Sequence, residues 1–107
     1  MLGRFFDTSV VDAFSASVAA DLAKLLPPAL CEAESKAALK GRQAAHERIS
    51  RHAEALAAAS RLNIYQKAKL GVRLQAALET AGYPTPFAKA FAYDVVSQVA
   101  TRSSQPR

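Results

Sequence analysis

The sequence has no tryptophan, a single cysteine and a single methionine, and no stretch longer than nine residues without a charged side chain. Each absence excludes something. Cys31 alone cannot form an internal disulfide, whereas small domains of oxidising compartments are often held by paired cysteines. The expected setting is therefore reducing and cytoplasmic. The longest uncharged run, Thr80 to Ala88, falls well short of the about 20 residues that a spanning helix needs, so no membrane crossing is expected. The first residues, Met1-Leu2-Gly3-Arg4-Phe5-Phe6, are followed by Asp7, Asp12 and Asp21. That pattern suits neither a secretory leader nor an acid-poor transit segment. Those aspartates also weigh against the amphipathic first helix lying on an anionic lipid surface.

Period-two alternation and Asn-Gly hairpin signals are missing too, which argues against strands. The phosphate-cradling and nucleophile patterns GxxxxGK[ST], GxGxxG and GxSxG do not occur. What remains is a chain of 107 residues in which half are hydrophobic and 24 are alanine. That is material for one modest core. The expectation is an all-α fold of four helices: a single helical domain over 1–101, with 102–107 as a polar, disordered tail.

The first helix is expected from about Ser9 to Leu26. Val11, Phe14, Val18, Leu22 and Leu25 share one face; Asp7, Thr8 and Ser9 are all competent N-caps, Ser9 with Asp12 as an imperfect capping box; and Pro27-Pro28 ends the helix. The second is expected to start near Pro28, with Glu32 and Glu34 in its favourable first turns, and to run to about Leu62. From Glu32 to Arg61 it is built of strong helix formers, and only Leu39, Ile49 and Leu56 are bulky and apolar. Such a helix reads as long, Ala-rich and largely solvated, a lever beside a compact head of helices one, three and four. Gly41 is its weak point. A third helix follows, either after a break at Asn63, which can form a capping box with Gln66, or as a continuation of the second through Asn63 without a stop. Its apolar face carries Ile64, Ala68, Gly71, Leu74, Leu78 and Ala81, widened by Leu70 and Ala77, with Gly71 permitting close backbone approach. Ala81-Gly82-Tyr83-Pro84 reads as a Schellman stop. Thr85-Pro86 then caps and opens a fourth helix with a broad apolar face of Phe87, Phe91, Val95 and Val99.

Two features carry functional content. One is a narrow seam on the second helix, Ala38, Ala45, Ile49, His52, Leu56 and Ala59, whose small side chains suit close helix-to-helix approach. The other is charge. The formal net charge is +5 with a pI near 9.7, and between Lys36 and Arg73 nine basic residues face only Glu47 and Glu54. Lys36, Lys40 and Arg42 cluster early in this stretch, and Lys67, Lys69 and Arg73 late, beside Tyr65. These are residues that can contact phosphates, although no helix-turn-helix with a basic reading helix is evident.

Catalytic equipment is sparse. His46 and His52 are wrongly spaced to share a metal on one helix face. Cys31 lies near a helix N-terminus, which would lower a thiol's pKa, but has no histidine close in sequence. Lys67-Ala68-Lys69-Leu70-Gly71 sits in mid-helix, where backbone N–H groups are already used. The expectation is a protein that is not an enzyme, with no cofactor, no metal site and no small-molecule substrate. It would be a helical interaction protein, such as an adaptor, chaperone or assembly factor, that forms a homo-oligomer or docks on a larger protein partner through the seam. The alternative is a nucleic-acid-binding accessory protein that uses the basic middle.

Overall fold

A computed structural model describes residues 7–59 and 61–104, the last three by their backbone alone. Four α-helices follow one another: α1 (Ser9–Leu25), α2 (Lys36–Ala59), α3 (Ile64–Thr80) and α4 (Thr85–Ser104), with a 3₁₀ turn at Pro28–Leu30 between α1 and α2. The described residues contain no strand. α4 runs on to Ser104, into the stretch expected to be a disordered tail; 105–107 lie outside the described residues.

Local chemistry sets the boundaries. The Asp7 carboxylate accepts the Ser9 N–H at 2.9 Å, and Thr8 is the cap. Ser9 is therefore already inside α1 and is not its capping residue. At the other end the chain does not turn straight into α2 at Pro28. Arg42 reaches back and donates to the carbonyls of Cys31 (3.2 Å) and Ala33 (3.0 Å). Those carbonyls are held out of any helix, and α2 starts only after Ser35, whose hydroxyl accepts the Ala38 N–H at 3.1 Å as an N-cap does. Glu32 and Glu34 consequently belong to the connection and not to α2.

At the next boundary the sequence leaves a break or a continuous helix open, and the structure has the break; the stop after α3 falls as the sequence predicts. Asn63 is extended and forms a reciprocal capping box with Gln66, which separates α2 from α3. At the end of α3, Gly82 takes a φ of +108°. Its N–H bonds to the Glu79 carbonyl, and the Tyr83 N–H to that of Leu78, the pair of bonds that defines a Schellman stop. α4 starts one residue earlier than expected: the Pro84 carbonyl accepts from Ala88, so Thr85 is the first helical residue.

Around the bundle the neighbours are α1–α2, α2–α4, α4–α3 and α3–α1, so that α2 and α3, consecutive in sequence, sit across the diagonal. Two core clusters fix the directions. One joins Leu22 and Leu26 of the α1 end to Ile49, Leu78, Tyr83 and Ala88. The other joins Val11 at the start of α1 to Leu56, Leu62, Leu70 and Val99. α2 and α4 therefore run parallel to each other and antiparallel to α1 and α3. The connection after Ala59 crosses over one end of the bundle, with Leu62 buried beneath the crossing. The radius of gyration is 14.0 Å, close to the about 13 Å of a compact chain of this length.

α2 does not stand off as a lever. Ala38, Ala45, Ile49, Ala53 and Leu56 are all buried against α1 and α4. Two large buried side chains, Ile49 and Leu56, suffice because the alanines let α2 come close enough for its neighbours to supply the bulk; Leu39 is exposed.

Candidate functional site

The seam is the first region to place. Ala38, Ala45, Ile49 and Leu56 are covered by the chain's own helices, which removes them from the docking surface expected of them. His52 is half-buried at the seam's edge and Ala59 is exposed. His52 has a specific partner: its Nδ1 lies 3.4 Å from Asp21 Oδ2, which Arg48 Nε approaches at 3.1 Å. This cluster ties α1 to α2. Asp21 Oδ2 is buried, and neither contact has hydrogen-bond alignment.

The basic residues do not converge. Lys36 and Lys40 start α2, near the end of α1. Lys67 and Lys69 start α3 at the opposite end of the bundle, on the helix diagonal to α2. Arg42 is occupied with the Cys31 and Ala33 carbonyls, and Arg73 Nε pairs with Asp12 of α1 at 3.4 Å. The Lys69 ammonium lies 5.6 Å from the Tyr65 ring centroid, a cation–π distance. No single surface gathers both clusters. Cys31 is also not at a helix N-terminus. It is buried at the end of the 3₁₀ turn, and burial first, with the nearby Glu32 charge second, pushes its thiol pKa up. That is the reverse of activation.

The structure assembles a different feature, a groove between α2 and α4. Its floor is Leu26, Ala45, Ile49 and Val95, and one wall is made by Phe87 and Phe91. The two rings stack with centroids 5.8 Å apart, and Tyr83 extends the stack at 5.3 Å from Phe87. Arg42 and His46 stand on the α2 rim, Asp94 and Gln98 on the α4 rim. The cavity measures about 190 Å³, below the roughly 300–1,000 Å³ of sites for drug-sized molecules. An apolar floor of that size with a polar rim has room for about one large side chain.

The sequence contains a signal for this groove. Phe87 and Phe91 sit about a quarter turn around α4 from the Ala88, Ala92, Val95 and Val99 stripe, so the apolar arc is wider than one packed face needs. Read without the fold, the excess looks like more core.

Among the described residues no group of three or more His, Cys, Asp or Glu is placed to hold a metal, and no helix is long and apolar enough to cross a membrane. Comparison with protein-family models, with curated proteins and with solved structures returns no match.

Proposed function

We propose that this protein is a non-catalytic helical interaction module whose docking site is the α2–α4 groove. The observation that carries the reading is the half-buried Phe87–Phe91 wall over an apolar floor. Aromatic rings left in an open concave site between packed helices are typical of anchor pockets for a partner's side chain. The rim supports the same reading, since the polar His46 and the anionic Asp94 on opposite walls would orient a bound segment. A cytoplasmic setting belongs to this proposal and rests on Cys31, a free buried thiol.

The test is affinity capture from the native host with the wild-type chain, Phe91→Ser and the rim reversal Asp94→Arg, each first shown to be helical by circular dichroism. A partner held by the wild type and lost from both variants is the expected result. A partner held equally by all three, or none recovered, rejects the groove as the docking site.

A further inference from the structure

α3 keeps one face that no other described element covers. Ile64, Ala68, Val72 and Ala76 recur every fourth residue and all are exposed, Ile64 by 81% and Val72 by 61%. The neighbours of α3 lie elsewhere around it. Leu70, Leu74 and Leu78 face the core, Arg73 marks the flank toward α1, and Gly71, beside Val96, marks the flank toward α4.

Charge is distributed along this face with a polarity. The Tyr65–Lys69 pair occupies its N-terminal half. Glu79, exposed and bonded by Gln75 at 3.2 Å, closes its C-terminal end. Tyr65 and Glu79 are equidistant in sequence from Val72, as are Ala68 and Ala76. A two-fold axis at Val72 that lays α3 antiparallel on α3 of another molecule therefore brings Glu79 of each copy to Tyr65 and Lys69 of the other. The small Ala68 and Ala76 meet, and Val72 meets Val72. A parallel pairing would instead set Lys69 against Lys69 and Glu79 against Glu79.

We propose that the exposed face of α3 is an antiparallel homodimer interface. The occupant is a second copy of this chain because the face is complementary to itself in both charge and shape, as a two-fold contact requires. One helix face is smaller than a standard interface, so the dimer depends on concentration. The proposal deepens the reading of an interaction module on a surface separate from the groove. Its test uses the purified chain alone, so its failure and that of the groove reading are distinguishable.

Sedimentation equilibrium of the full chain from micromolar to near-millimolar concentration measures the association. A dimer is expected, abolished by Val72→Glu at an exposed site that leaves the helical circular dichroism intact. Lys69→Glu and Glu79→Lys alone should each weaken it, by roughly three- to tenfold for two symmetry-related surface pairs turned repulsive. The double variant Lys69→Glu/Glu79→Lys should recover it. A monomer throughout the range overturns the proposal, as does a dimer indifferent to Val72→Glu or single reversals that the double variant fails to rescue.

Discussion

A Cβ built on Gly41 would lie 2.5 Å from the carbonyl oxygen of Leu25. α2 crosses the end of α1 at this point with its backbone almost in contact, and Leu26 Cδ1, at 3.2 Å, closes the remaining space. Glycine is therefore required here for space. At Gly71, in the middle of α3, the same added atom would meet only Val96 Cγ2, at 3.5 Å, an ordinary contact.

The two glycines should accordingly respond to alanine with opposite signs. Gly71→Ala should stabilise the fold by about 0.5–1 kcal/mol through helix propensity and reduced unfolded-state freedom. Gly41→Ala should destabilise it by about 1–3 kcal/mol, because overpacking against a backbone carbonyl outweighs the same gain. Urea denaturation of the pair measures both, and a stabilised Gly41→Ala would disprove the close crossing.

Tyr83 predicts an alkaline limit to stability. Its hydroxyl donates to the Leu26 carbonyl at 2.6 Å inside the core. Burial first, and the neighbouring Cys31 second, push its pKa up to about 12 from the ordinary 10.0. A raised pKa in the folded state means that the fold holds the neutral phenol, so this contribution is complete below about 10 and is lost as pH rises through about 12. Cys31, also shifted upward, adds in the same direction. Denaturation series across that window should show stability falling more steeply for the wild type than for Tyr83→Phe. At neutral pH Tyr83→Phe should cost about 1–2 kcal/mol, for the Leu26 carbonyl left without its donor.

Among the described residues Ser15, like Asp21 Oδ2, is a buried exception to polar satisfaction. Its hydroxyl lies within the α1 packing face and finds no hydrogen-bond partner. Removing an unsatisfied buried hydroxyl removes a desolvation cost. Ser15→Ala should therefore raise stability by about 0.5–1.5 kcal/mol, read as a shift of the urea midpoint with unchanged slope; a loss would reveal a partner for the hydroxyl.

The diagonal crossing makes Leu62 more important than its place in a connection suggests. It is buried with Val11, Leu70 and Val99. Leu62→Ala should cost about 2–4 kcal/mol as a cavity-forming change. Leu39→Ala, at a site 55% exposed, should stay within about 0.5 kcal/mol of the wild type. Equal effects at the two sites would argue against the crossing.

Legibility in the sequence followed the range of the interaction. The Schellman stop at Gly82–Tyr83 is readable because it is closed within a few residues; the Asn63–Gln66 cap is equally local, but the sequence alone does not decide between a break and a continuous helix there. Val11, Val18 and Leu22 were readable because α1 buries one regular face. The start of α2 was hidden because Arg42 decides it through two carbonyls about ten residues upstream. Alanine periodicity marks the seam as a close contact without naming its partner, so the sequence does not say that α1 and α4 cover it. Helical spacing puts Ile64 and Ala68 on the packed face of α3, yet they are exposed, since the buried stripe is centred on Leu74.

The sequence by itself determined four helices, most of their ends and an all-α core, since capping groups, prolines and apolar spacing act through the local backbone. Only the tertiary structure decided that α2 neighbours α4 and not α3, that its alanines are interior, and that two phenylalanines remain at an open groove. Those outcomes depend on which faces meet once the chain crosses over itself, and helical periodicity is blind to that choice.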